Sequence, residues 1–195
     1  MSFSIIVISP ETTSNKETEQ VARLFDNGLK AFHLRKPTTG KKALEQYLQE
    51  IPAKYYKKIV LHSHFALAAT YGLKGIHLNE NAKKDQTDKN SKIVSAAFHS
   101  LEQLNKNTRQ YTYVFLSPLF DSISKAGYKG SIDLEKVEKF FKKKRKEKVV
   151  ALGGISKENI SIVKQIGFSG AALIGAIWQS NDPVKSYLRI VSEVE

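Results

Sequence analysis

Short apolar runs rich in β-branched residues alternate along the whole chain with stretches of helical spacing. The runs Phe3 to Ser9, Ala31 to Arg35, Ile59 to His62, Gly75 to Leu78, Ile93 to Ala97, Tyr113 to Leu116, Val149 to Leu152 and Ala171 to Ile174 read as eight strands. Between them, helical periodicity marks Lys16 to Asn27, Lys41 to Glu50, Phe65 to Tyr71, Leu101 to Lys106, Asp133 to Lys146, Lys157 to Ile166 and Val184 to Val194. The second helix follows Thr38-Thr39-Gly40, and the fifth follows Ser131, which can cap it.

The strands are apolar at nearly every position, so both of their faces are buried, as in a parallel sheet covered by helices. Eight strand–helix units predict an α/β chain folded as a single (β/α)8 TIM barrel. The 195 residues are few for that fold, where about 250 is typical, and an open doubly wound sheet is the runner-up. Gly28, Gly72 and Gly167 each end a helical run shortly before a strand, as C-caps do in compact turns, and this favours closure. No G-x-G-x-x-G follows the first strand, so the dinucleotide-binding signature is missing. No stretch rich in Gly, Pro or Ser divides the chain, and residues 1–195 are expected to form one domain.

Composition narrows the partners. No apolar run reaches the eighteen residues of a membrane span, and MSFSIIVISPE lacks the basic segment of a secretory leader, so it reads as the first strand. With no cysteine there is no disulfide framework, thiolate nucleophile or Cys-ligated metal, and a cytoplasmic location is expected. The net charge of +12 favours an anionic ligand. Its densest stretch, KKKRKEK from Lys142 to Lys148, follows Leu134, Val137, Phe140 and Phe141 and reads as the wet end of an amphipathic helix. No nucleic-acid motif accompanies it, so neither nucleic acid nor a membrane is an expected partner. Leu188, Ile190 and Val191 on the last helix either cover the barrel or join a homodimer.

In such a barrel the loops after the strands build the site. Polar residues should therefore gather at strand exits, and all five histidines do: His33 with Arg35 at strand 2, His62 and His64 at strand 3, His77 at strand 4, and His99 just beyond strand 5. An extended chain would put His62 and His64 on one face, as a metal site, a catalytic pair or two core plugs. The exits of strands 6 to 8 differ in character. They carry Ser117, Ser122, Ser124 and Lys125, then Gly153 and Gly154, then Gly175 and Ala176. Glycines there let backbone N–H groups approach a phosphate, at the usual phosphate corner of these barrels.

The segments RLFDNGLKAFHLRKP, LAATYGLKGIHL, SPLFDSISK, VVALGGISKENI and GFSGAALIGAIW, in that order, resemble the thiamine phosphate synthase and TenI family of thiamine-biosynthesis barrels over nearly the whole chain. The resemblance implies one of two reactions. A synthase joins a pyrimidine diphosphate to a thiazole phosphate with magnesium, whereas TenI relatives shift a proton within a thiazole carboxylate phosphate without metal. Of the synthase pattern Gln-Leu-Arg-x-Lys, this chain keeps Arg35 and has His33 and Pro37 at the outer positions. The magnesium aspartates expected after strands 3 and 4 fall on Ser63 and Ala82.

His99 matches the TenI proton-transfer histidine, and an imidazole exchanges protons near neutrality. The expectation from sequence is therefore a metal-free thiazole tautomerase. His99 is its principal acid and base, assisted by His33, His62 or His64. Arg35, Lys36, His77, Ser117, Ser122, Ser124, Lys125, Gly153, Gly154, Gly175 and Ala176 hold the phosphorylated thiazole. No metal site is expected, with magnesium the cofactor only of the alternative, an active synthase. A thiazole phosphate binder without turnover is the third reading.

Overall fold

A computed structural model describes residues 3–79, 92–121, 132–142 and 147–195. Eight parallel strands close into a barrel in chain order: β1 Ser4–Ile8, β2 Ala31–Leu34, β3 Ile59–Leu61, β4 Gly75–Leu78, β5 Ile93–Phe98, β6 Tyr113–Leu116, β7 Val149–Leu152 and β8 Gly170–Leu173. β8 returns to pair with β1 from Ser4↔Gly170 to Val7↔Leu173, which removes both sheet edges and excludes the open sheet.

Eight helices are described: α1 Glu17–Asp26, α2 Lys41–Glu50, α3 Ala66–Thr70, α4 Leu101–Lys106, α5 Leu134–Phe141, α6 Ile160–Ile166, α7 Gly175–Trp178 and α8 Pro183–Val191. A 3-10 turn, Ala53–Lys58, precedes β3 where the periodicity predicts no element. Asp133 caps α5 by accepting from the N–H groups of Glu135 and Lys136, while Ser131 lies outside the described residues. None of the described helices is long and apolar enough to cross a membrane.

Alternation along the strands sorts side chains into two cores. Outward residues such as Val7, Phe32, Leu34 and Leu61 meet the helices, including Leu24, Leu44 and Leu48. Each such fully buried side chain contributes roughly 1.5–3 kcal/mol. Inward residues Ile6, Ile8, Val60, Val94, Tyr113, Phe115 and Val150 fill the barrel. His33, His77 and Ser95 are also buried among the strands, so the interior carries a polar seam beneath the strand exits. On α8, Ile190 is buried against the core and Leu188 is exposed, so this helix covers the barrel with one face.

Candidate active site

The strand exits open into one cavity of about 730 Å3. Along one side it is lined by Arg35, His62, Ser63, His77 and Asn79, and along the other by Ser117, Gly153, Gly154 and Gly175, with His99 between them. Imidazoles and glycine turns thus share one mouth.

Their local geometry assigns different capacities. His99 is exposed at the rim, and its Nδ1–H donates to the Ser117 carbonyl at 3.1 Å. A carbonyl only accepts, so this bond requires the proton on Nδ1, the tautomer whose neutral ring leaves the Nε2 lone pair for a ligand; Ser117 Oγ stands 3.5 Å from the same Nδ1. His33 does not line the cavity. It is fully buried beneath it, with Nδ1 2.9 Å from His62 Nε2 and Nε2 2.6 Å from the Tyr113 hydroxyl. His77 Nδ1 lies 2.8 Å from Ser95 Oγ, and its ring stacks on that of His62 with centroids 4.2 Å apart.

His64 is the correction to the expected pair. β3 ends at Leu61, and His64 has φ 49°, so the alternation that would align it with His62 stops before it. Its Nε2–H donates to the Thr39 carbonyl at 3.0 Å, outside the cavity.

Burial holds His33 well below the usual imidazole range, with His77 and Lys74 adding repulsion. His62 is lowered for the same first reason, helped by His77, His33 and Arg35. In the unfolded chain both accept a proton near pH 6.5, and in the fold only at lower pH. Below 6.5 the unfolded state therefore binds more protons, so stability is complete above that value and declines as pH falls, by up to about 1.4 kcal/mol per pH unit per histidine. Melting temperature is expected to be flat above about pH 7 and to drop toward about pH 5, less steeply in His62→Gln.

The cations are also committed. Arg35 Nη1 lies 2.6 Å from Glu11 Oε1 at the cavity edge, and its backbone N–H is fixed by Ser9 Oγ at 2.8 Å. Lys36 borders the cavity, but its ammonium is spent on Glu17 Oε2 at 2.8 Å and the Pro10 carbonyl at 2.9 Å, which corrects its expected role as a free phosphate ligand. Burial pulls the Lys36 pKa down and Glu17 pushes it back up. Ala176 does not line the cavity; its carbonyl accepts from Ser186 Oγ at 2.6 Å. Ser122, Ser124 and Lys125 lie outside the described residues.

Gly153 and Gly154 have φ 101° and 63°, and a Cβ on Gly154 would stand 2.1 Å from the Asp121 carbonyl oxygen. The loop after β7 is therefore packed backbone to backbone against the loop after β6. Trp178 Nε1–H donates to the Ile8 carbonyl at 2.7 Å and fixes α7, which starts at Gly175, against the exit of β1.

Residues 5–177 match the family described as thiamine monophosphate synthase. The chain belongs to that family. The thiamine-phosphate synthase of Caldicellulosiruptor saccharolyticus is 27% identical over 210 residues, covering 100% of this chain and 93% of that protein. That of Prochlorococcus marinus is 30% identical over 144 residues, covering 70% of this chain and only 40% of its own length, so the match spans less than half of that longer protein. The crystal structure of thiamine phosphate pyrophosphorylase from Bacteroides thetaiotaomicron superposes with a TM-score of 0.79 at 34% identity, covering 98% of this chain and 94% of that one. These relatives carry the name of the synthase, not of the tautomerase that the sequence pattern put first.

The thiamine monophosphate synthase family implies magnesium, which takes oxygen ligands and above all carboxylates. Among the described residues Glu11 is the one carboxylate on the cavity wall, and it is paired with Arg35. Ser63, where the resemblance puts an aspartate, has a buried Oγ with no hydrogen-bond partner among the described residues. Ala82 lies outside them. The described wall does not fit magnesium.

Sequence reasoning passed over Tyr113, Glu17 and Glu11. Tyr113 carried a readable signal, a polar tip at an inward position of β6.

Proposed function

We propose that this chain is a thiamine-biosynthesis enzyme that seats a phosphorylated thiazole with its phosphate toward Gly153, Gly154 and Gly175. The reaction proposed is that of a thiamine-phosphate synthase: the thiazole nitrogen forms a bond to the pyrimidine methylene carbon, the carbon–oxygen bond to diphosphate breaks, and diphosphate leaves. The observation that carries this reading is a cavity of about 730 Å3 with room for two small heterocycles, in a chain whose relatives bear the synthase name. The glycine turns supply backbone N–H groups for the phosphate, and Arg35 offers a bidentate fork to an anionic group once Glu11 yields it. No step is assigned to magnesium.

A second reading, the metal-free proton shift, is favoured by the wall at the exits of β3 and β4, where His62 and His77 line the cavity and Ser63 stands at the position of an expected aspartate. In it His99 Nε2 takes a proton from the thiazole carboxylate phosphate and returns it at the new position.

One pair of assays separates the two. Purified protein is given the pyrimidine diphosphate with the thiazole phosphate, and separately the thiazole carboxylate phosphate. Thiamine phosphate formation is the expected result. Isomerisation alone, reduced about 10²- to 10⁴-fold by His99→Ala, moves the assignment to the second reading, and no turnover of either overturns both.

A further inference from the structure

One ring nitrogen from each of His33, His62 and His77 lies within 4.8 Å of the other two. The three side chains come from β2, the exit of β3 and β4, neighbouring strands of a closed barrel, so their backbone frame is stiff. Each of the two buried rings also has a hydroxyl partner: His33 Nε2 is 2.6 Å from the Tyr113 hydroxyl, and His77 Nδ1 is 2.8 Å from Ser95 Oγ. Imidazoles that bind metals are held in this way, with one nitrogen bonded outward to fix the tautomer and the other turned to the ion.

We propose that His33, His62 and His77 form a three-imidazole site for a divalent transition ion of the zinc type, with the fourth coordination position open to the cavity. Imidazole nitrogen suits zinc, cobalt, nickel and copper, whereas magnesium needs oxygen. Three protein ligands with one open position is the arrangement of a zinc ion that binds or activates a small ligand. His62 and His77 both border the cavity, and His33 closes the site from below.

Tetrahedral zinc with bonds of about 2.0–2.1 Å sets its ligand nitrogens about 3.4 Å apart. The 2.9 Å between His33 Nδ1 and His62 Nε2 must open slightly, and the contact between the stacked His62 and His77 rings must become convergent. Rotation of His62, the half-buried member of the three, supplies both changes while Tyr113 and Ser95 hold the other two rings. The ion replaces the hydrogen bond that now joins His33 to His62. A small anion, carboxylate or phosphate, is the ligand class that would complete the coordination beside the Arg35 guanidinium.

The site is independent of which reaction the enzyme performs, and its test reads metal rather than turnover. Tag-free full-length protein, stripped with chelator, is titrated with zinc against a chromophoric competitor, and separately with cobalt. One equivalent of zinc is expected, with the intense visible absorption of tetrahedral cobalt. His62→Gln should abolish both signals while the circular dichroism of the fold persists. Ser95→Ala should weaken zinc binding by about 10- to 100-fold through loss of the His77 partner. His64→Gln, outside the cavity, should change neither. Absence of stoichiometric zinc, zinc that survives in His62→Gln, or zinc lost in His64→Gln would overturn the proposal.

Discussion

Glu17→Ala is expected to cost about 3–5 kcal/mol of folding stability, the range for removing one partner of a buried ion pair. The carboxylate and the Lys36 ammonium are 0% and 1% exposed, and Nζ meets Oε2 at 2.8 Å. Oε1 accepts from the Tyr47 hydroxyl at 2.6 Å, and Oε2 from the Ser14 N–H at 3.2 Å. One side chain from the first turn of α1 therefore joins α2, the exit of β2 and the loop between β1 and α1. Without it the Lys36 ammonium keeps, among the described residues, the Pro10 carbonyl and the face of the Tyr47 ring, and the buried Tyr47 hydroxyl loses its acceptor. Burial, already the stronger influence on Lys36, would then act unopposed by Glu17 and favour the neutral amine.

Denaturant unfolding should show a lower midpoint with unchanged slope, and melting a drop of about 2–4 °C for each kcal/mol lost. The double variant Glu17→Ala with Lys36→Met should recover much of the loss, because it removes the stranded charge along with its partner. A single-variant cost under about 1 kcal/mol would mean that water reaches Lys36 and that the pair behaves as a surface one.

Gly154→Ala is expected to weaken binding of the thiazole phosphate by at least about 10-fold and to destabilise the fold by about 2–6 kcal/mol, the sum of left-handed backbone strain and overpacking. At φ 63° the added Cβ would meet the Asp121 oxygen at 2.1 Å and Phe120 Cβ at 2.7 Å, and backbone atoms have no rotamer with which to yield. The loops after β6 and β7 are joined there by Leu119 N–H to the Leu152 carbonyl at 3.0 Å and Phe120 N–H to the Gly153 carbonyl at 3.1 Å. Forcing them apart displaces the N–H groups proposed to bind the phosphate.

Gly40→Ala is the control. Nothing lies within 4 Å of its Cβ position, and its φ of −71° suits any residue, so stability should stay within about 1 kcal/mol. Calorimetric titration with the thiazole phosphate measures the affinity change. Unaltered affinity in a folded Gly154→Ala protein would remove this corner from the phosphate site.

The barrel was legible because its strands are buried on both sides. Phe32 and Leu34 face helices while His33 between them faces inward, so nearly every strand position is selected against water and the runs stand out. Helix ends were read less well. Asp133 caps α5, a residue that local chemistry did not single out among the polar positions ahead of the helix, because the path of the chain decides which side chain reaches the free N–H groups. At the site, the sequence showed which residues collect at strand exits but not their depth. His33 and His62 look alike in the chain, yet one is sealed in and the other borders the cavity.

The amino-acid sequence alone determined the strand–helix repeat, the closed barrel it implies, the glycine corner and the gathering of histidines at one end, because each follows from local periodicity or from the position of a residue in its unit. Tertiary structure alone decided that His64 turns out to Thr39, that Lys36 is committed to Glu17, and that Tyr113, 80 residues from His33 in the chain, bonds the buried imidazole. Those outcomes depend on where strands stop and which side chains meet across a closed sheet, and barrel closure sets such distances between residues whose separation along the chain carries no trace of them.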